Sequence, residues 1–223
     1  MTKTTEYPPR RRRAPRRDGL STRTIILEAA GRVFAERGFA EATSKEICER
    51  AGTNNAAVNY YFGGKENLYE EVLVEAHRQL VSLEDLELII ASKETPEKKL
   101  HFFLMQMLRT AASSSELWGV KIYLRELASP SSYVARTMET TVLPKAEKLR
   151  SLVQEITGLP WDSAQVQRGA AFVVLSWMSL VLFPDALRKL VLPASAITAD
   201  GLSEDLLTYA LGGLRALGQF KKV

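Results

Sequence analysis

The chain has 223 residues, 46% of them apolar and 25% charged, which is enough for an ample core in one domain or two. One cysteine excludes an intramolecular disulfide and fits a reducing compartment, so a cytoplasmic location is expected; two histidines argue against a His-rich metal site. The net charge of +4 is uneven: residues 1–23 hold eight Lys and Arg against Glu6 and Asp18, a balance of +6, which leaves −2 on the rest.

The basic segment has PPRRRRAPRR at its centre. Residues 1–20 carry too little apolar surface to fold and are expected to form a disordered arm. Arg10, Arg11, Arg12, Arg13, Arg16 and Arg17 are placed to neutralise phosphates or to enter a minor groove. A solvated tail without a specific role is the plainer alternative. No apolar stretch follows the basic residues before the first amphipathic helix, so no signal peptide is expected.

The first helix is expected over 21–37, with Ser21 as its cap. Ile26, Ala29, Ala30, Val33 and Phe34 repeat at helical spacing and give it one buried face. Gly38 ends it, and Phe39 plugs a small core. Thr22 and Arg23 lie at its positive end, where a phosphate can bind.

Residues 43–68, TSKEICERAGTNNAAVNYYFGGKENL, read as two short helices joined by a tight turn. Thr43 with Glu46 three residues on is a capping-box pattern. The first of the two helices runs to Ala51 and leaves at Gly52, a residue suited to positive φ. Asn54 starts the second as a side-chain cap, and Gly63-Gly64 end it. Val58 and Phe62 share an inward stripe, while Ala56, Asn59 and Tyr60 face out. An amide can bond an adenine edge, a methyl can meet a thymine methyl, and a phenol can reach a phosphate. The plainer alternative is a helical hairpin with a polar surface.

The stretch from about Thr22 to Tyr69, through ILEAAGRVFAERGFAEATSKEICERAG and NAAVNYYFGGKENLY, resembles the DNA-binding domain of the TetR/AcrR family of bacterial transcription regulators. Gly38-Phe39, Thr43, Ile47, Ala51-Gly52, Val58, Tyr60-Tyr61-Phe62, Lys65 and Leu68 fall in that family's register. Asn59 stands where the family often has an aromatic residue, a departure that bears on which base is read. Cys48 stands where a small residue is usual and is expected to pack. The resemblance implies DNA contacts from Thr22, Arg23, Thr43, Ser44, Lys45, Asn54, Asn55, Ala56, Asn59, Tyr60, Tyr61 and Lys65. Among these, Asn55, Ala56 and Asn59 would read bases.

From Lys65 one long helix is expected to continue through LYEEVLVEAHRQLVSLEDLELII, linking the reading head to the rest. His77 on it is expected in a surface or interdomain polar role. After a break over 92–95, Thr95-Pro96-Glu97 opens a strongly apolar helix. Ser113 to Ser115 break it, and ELWGVKIYLRELA runs to Ser129-Pro130. A further helix from Ser131 to Gly158 is expected to kink at Pro144. The REL-ASP segment and the internal VLP resemble the CecR-like branch of the same family.

The apolar run from Gly169 to Phe183, about fifteen residues long, falls short of the twenty or so that a membrane span needs. It is expected as a helix buried on most sides, in core plus subunit interface, rather than a membrane segment. A last helix over 203–219 carries Leu206, Leu207, Ala210, Leu211, Leu214 and Leu217 at helical spacing. These two helices resemble the pair that forms the intermolecular four-helix bundle in the family; intrachain core is the alternative for both. The resemblance also implies a ligand cavity in this half. Met105, Trp118, Tyr123, Met138, Phe172 and Trp177 are the candidates to line it, although such residues serve a core equally well.

No nucleophile elbow, phosphate-binding glycine loop, paired-histidine zinc pattern or cysteine pair is present. The expected fold is all-α: a disordered arm over 1–20, a three-helix helix-turn-helix head over 21–68, and a helical ligand-binding and dimerisation domain over 69–223. The expected function is a dimeric transcription regulator, a repressor binding a palindromic operator on double-stranded DNA. A small-molecule effector would release it, with no cofactor, no metal and no membrane involved. The alternatives are a helical partner-binding protein whose arm binds nucleic acid nonspecifically, and an enzyme with a cryptic site in the second domain.

Overall fold

In the computed structural model, residues 19–112, 118–182, 190 and 199–219 are described, and among them there are helices and no strand. The Arg-rich segment, the expected break over 113–115 and the end of the apolar run at 183 lie outside them. Helix α1 spans Gly19–Glu41, so Ser21 falls inside it rather than ahead of it. As expected, the first helix ends at Gly38, which is non-helical at φ 78° and ψ 171°, and one more turn follows it within the same span. Left-handed φ of that kind suits a residue without Cβ.

Helices α2 (Ser44–Ala51) and α3 (Ala57–Phe62) follow, then α4 (Lys65–Leu80). Ile26, Val33, Phe34, Ile47, Val58 and Leu68 are fully buried together. Cys48, also fully buried, is a packing residue of this head. Phe39 is half-buried and closes the core between Phe34, Tyr69 and Tyr133, with ring centroids 4.8 to 6.1 Å apart.

The head's core does not draw on the first four helices alone. Trp118 and Ile122 from α7 (Trp118–Ala128) are buried in it. The Trp118 indole lies over Gly31, where a Cβ would fall 2.3 Å from the ring. Its Nε1–H donates to Glu28 at 2.9 Å. The other end of α4 belongs elsewhere: Leu80 is buried in the second core, with Leu100, Leu104, Leu152, Val166 and Trp177. Helix α4 thus joins the two cores as a single rigid element.

The expected continuation of α4 to residue 90 does not occur. Val81 takes an extended conformation, and Ser82 Oγ accepts the Asp85 N–H at 2.9 Å, opening a separate helix α5 (Leu83–Ala91). Helix α6 (Pro96–Ala112) begins as expected, with Thr95 Oγ1 accepting the Lys98 N–H.

Helix α8 (Val134–Thr137), a π-helical turn (Met138–Val142) and α9 (Leu143–Thr157) form one continuous rod. Pro144 brings no N–H, so the carbonyl four residues back loses its helical donor. The chain absorbs this by widening one turn, and the Leu143 N–H bonds Met138 O. The expected irregularity therefore sits just before the proline.

Helices α10 (Ala164–Leu182) and α11 (Ala199–Gln219) pack on α9 and α6. Val166, Ala170, Val173 and Trp177 of α10 and Leu206, Ala210 and Leu214 of α11 point inward. In the single chain the far face of α10 is open, with Phe172 and Leu175 56% and 54% exposed. No described helix is long and apolar enough to cross a membrane.

Candidate nucleic-acid interface and an interior cavity

The helix-turn-helix is built from local bonds. Thr43 Oγ1 accepts the Glu46 N–H at 3.1 Å. The return half of the expected capping box is replaced: the Glu46 carboxylate takes Arg50 at 2.7 Å and Arg37 at 3.4 Å. Arg50 also bonds Glu36 at 2.9 Å. Arg37 and Arg50 are therefore spent on tying α1 to α2. Gly52 caps α2 at φ 65°.

Asn54 does not begin α3. Its Oδ1 accepts the Ala56 N–H at 3.0 Å, which shapes the turn, and the helix starts at Ala57. Asn55 and Ala56 are thereby held at the leading edge of α3. Val58 is fully buried and Phe62 is 6% exposed, as the inward stripe requires. Asn55, Ala56, Asn59 and Tyr60 are exposed together on the other side, Tyr60 at 82%. A short helix is thus anchored by its back, with two amides, a methyl and a phenol on one solvent face.

The flanking candidates differ in how free they are. Thr43 and Lys45 are exposed, and Ser44 is half-buried at the start of α2. Lys45 pairs with Glu49 at 3.9 Å. The half-buried Tyr61 meets Tyr60 edge-on, with centroids 4.9 Å apart. Lys65 Nζ donates to the carbonyls of Phe39 and Ala42, both at 3.0 Å, and lies 4.4 Å from the Phe39 ring centroid. An ammonium has three donors, so one remains after these two bonds. Thr22 lies in the first turn of α1, and Arg23 pairs with Glu71 and stacks over Phe62.

A half-open pocket of about 110 Å³ is set into the second core. Of the six cavity candidates, Tyr123 and Trp177 line it together. Trp118 is instead part of the head's core, because Gly31 admits its ring. Met138 borders a smaller void next to Glu126 and Thr137. Phe172 lines a different, outward groove of about 520 Å³ with Tyr209 and Leu217. Met105 is half-buried and lines none of the three, whereas Met107, two residues on, lines the cavity.

Two residues that sequence reading missed as cavity lining are His77 and Lys145. His77 is 9% exposed, not a surface residue, and its ring meets the Tyr123 ring edge-on at 4.8 Å. Burial, with the charge of Lys145 second, lowers its pKa to about 4. Lys145 Nζ donates to the His77 carbonyl at 2.9 Å. Burial lowers its pKa to about 8, opposed by Glu84 and assisted by Arg78. A lysine on an amphipathic helix has no sequence signature that separates it from a solvated one.

His77 supplies a pH signature. Its folded pKa lies below the unfolded value near 6.5, so the unfolded chain binds more protons between the two. Its contribution to stability is present above pH 6.5 and is lost as pH falls toward 4. The expected loss between pH 6.5 and 5.5 is about 1 kcal/mol. Urea melts across that window should show it in the parent chain and a flatter response in His77→Leu.

Residues 26–72 match the profile of bacterial regulatory proteins of the tetR family. Residues 96–206 match the C-terminal domain of the HTH-type transcriptional dual regulator CecR. The chain is 26% identical over 137 residues to a protein of Bacillus subtilis described as the probable HTH-type transcriptional regulator YttP, covering 61% of this chain and 65% of that one. It is 34% identical over 84 residues to the HTH-type transcriptional repressor NicS of Pseudomonas putida, covering 37% and 40%. The matches therefore span less than two thirds of either relative. The fold is similar to that of the transcriptional regulator FadR from Bacillus subtilis, solved in complex with stearoyl-CoA, with a TM-score of 0.65 at 19% identity, over 85% of this chain and 98% of that one.

Proposed function

Since the chain belongs to the tetR family of bacterial regulatory proteins, with a CecR-like C-terminal domain, and is a DNA-binding transcription regulator and not an enzyme, we propose that it is a dimeric repressor released from a palindromic operator by a small molecule. The observation that carries the reading is the face of α3. Asn55, Ala56, Asn59 and Tyr60 stand out together while Val58 and Phe62 lock the helix from behind.

In the proposed complex, α3 enters the major groove with Asn55, Ala56 and Asn59 against base edges. Thr43, Ser44, Lys45, Asn54, Tyr60, Tyr61 and the spare donor of Lys65 hold phosphates around it. Thr22 and Arg23 stand at the start of α1, and the six arginines of the 1–20 arm add affinity that falls with salt. Two heads over 21–68 read two half-sites, and the 69–223 domain joins them. The exposed apolar face of α10 and α11, with Phe172, Leu175 and Tyr209, supports that domain as the dimer contact. A repressor among the relatives supports the direction of control. The protein works in the cytoplasm on this reading. Release requires the effector to favour a spacing of the two heads that misfits the operator.

The test is selection of bound duplexes from a random pool by the intact protein at near-physiological salt. One enriched palindrome is the expected result. Asn59→Ala should then weaken that duplex by about 1–3 kcal/mol, roughly five- to 150-fold, and relax the sequence at its position. Binding to unselected DNA should hardly change. A pool that returns unenriched while binding stays salt-sensitive would favour a nonspecific role for the arm instead.

A further inference from the structure

Lys145 keeps unusual company for a lysine. Lys98, Lys99 and Lys148 each pair with a glutamate. Lys145 is half-buried and lines the half-open pocket of the second core, whose walls include Leu86, Phe103, Met107 and Leu149. No carboxylate is among the described residues that line this pocket. The Lys145 Nζ donates to the His77 carbonyl at 2.9 Å, and among the described residues it makes no ion pair. His77 and Tyr123 line the pocket beside it, ring against ring. Two charges act on it from neighbouring helices: Glu84 of α5 favours the ammonium, and Arg78 of α4 opposes it.

Apolar surroundings without an anion disfavour an ammonium against the free amine. Burial is accordingly the first cause of the fall in the Lys145 pKa to about 8. At pH 7.5 about a quarter of such an amine is neutral, against roughly one in a thousand for an ordinary lysine. A neutral amine carries a free lone pair, and a lysine desolvated by apolar walls near a second cation is suited to attack a carbonyl. The open side of the pocket admits a small molecule and lets water leave. The His77 carbonyl can release Lys145 without being orphaned, because it also accepts the Val81 N–H at 3.5 Å. The space, about 110 Å³, suits a single ring or a short chain.

We propose that this pocket captures a small apolar aldehyde as an imine on Lys145, with the body of the aldehyde against Leu86 and Phe103. The Nζ lone pair attacks the carbonyl carbon, and the C–N bond forms as the carbonyl electron pair moves to oxygen. One amine proton passes to that oxygen and gives the carbinolamine. The C–O bond then breaks, and the hydroxyl leaves with the second amine proton as water. Nothing is oxidised or reduced. The imine is uncharged, so capture also removes a half-buried charge from apolar surroundings. The capture step is independent of DNA binding; its use as an effector signal rests on the reading above.

The test treats the intact chain at pH 7.5 with benzaldehyde or hexanal. Cyanoborohydride reduces each imine to a stable secondary amine, and mass spectrometry of peptides locates it. Lys145 should be labelled at least tenfold faster than the exposed Lys93 and Lys121. Excess benzyl alcohol, of the same shape but without a carbonyl, should slow labelling of Lys145 and leave Lys93 and Lys121 unchanged. The proposal is overturned if Lys145 reacts no faster than those two, or if benzyl alcohol does not slow it selectively. Release of the selected duplex is followed separately by fluorescence anisotropy, in the parent and in Lys145→Arg, which keeps a cation and a donor for the His77 carbonyl. Release by aldehyde in the parent and not in Lys145→Arg is the expected result. Capture that leaves DNA bound sinks the effector reading alone. Absence of capture with intact operator binding sinks the pocket assignment alone.

Discussion

Replacing Glu126 with alanine is expected to lower the unfolding free energy by about 3 kcal/mol. Glu126 is 6% exposed on α7 and holds three donors. The Tyr69 hydroxyl of α4 donates to it at 2.6 Å, the Ser131 N–H at 2.8 Å and the Ser131 hydroxyl at 2.9 Å. Burial first, then Glu126, pushes the Tyr69 phenol well above its usual range, so it stays a donor. Removing the carboxylate leaves buried donors unmet, at about 1–3 kcal/mol each, and opens a small void. In a chain of this length the midpoint of thermal unfolding should fall by roughly 6–12 °C. Glu126→Gln should cost less, since its amide oxygen still accepts. Combining Glu126→Ala with Tyr69→Phe should cost clearly less than the sum, because the two residues share one bond. Strict additivity in urea denaturation would mean that the bond carries no weight.

The second large effect concerns the arm. Deleting residues 1–18 removes Arg10 to Arg13, Arg16 and Arg17. If each neutralises a phosphate, the slope of log affinity against log salt should flatten by about 5 per arm. A single arm then accounts for roughly a thousandfold change in affinity between 50 and 200 mM salt. The loss should be similar for the selected duplex and for random DNA, leaving their ratio intact. A fall in that ratio would instead point to an arginine reading minor-groove width. An unchanged slope would return the arm to a solvated tail.

Much of the head was legible because its signals are local. The Thr43 cap, the exit at Gly52 and the Val58–Phe62 stripe each depend on residues within a few positions, and each appears where the spacing placed it. The break of α4 was equally local, written in Ser82 with Asp85 three residues on, and was overridden by the apolar periodicity on either side. Asn54 was misplaced by two or three residues because an Asx turn and a helix cap use the same side chain in the same way.

The cavity was legible only in part. Tyr123 and Trp177 were named for their chemistry, and so were Trp118 and Phe172, which lie elsewhere. Nothing within α7 distinguishes a tryptophan that faces the cavity from one that reaches Gly31 of α1, 87 positions earlier in the chain. Lys145 and His77 meet across 68 positions. Their proximity is a product of tertiary packing, which helical periodicity does not encode.

Trp118 and Ile122 also bear on how such a protein can be re-engineered. A DNA-reading head exchanged between relatives at the end of α3 or within α4 would arrive without two of the side chains that fill its centre. The recipient's own α7 would supply them only where its indole and the donor's α1 agree on a glycine at the crossing. Hybrid regulators that keep α1 and α7 as a matched pair, whatever the parentage of the segments between, should therefore fold where simple splices aggregate. The useful unit of recombination here is a set of packed helices, not an interval of sequence.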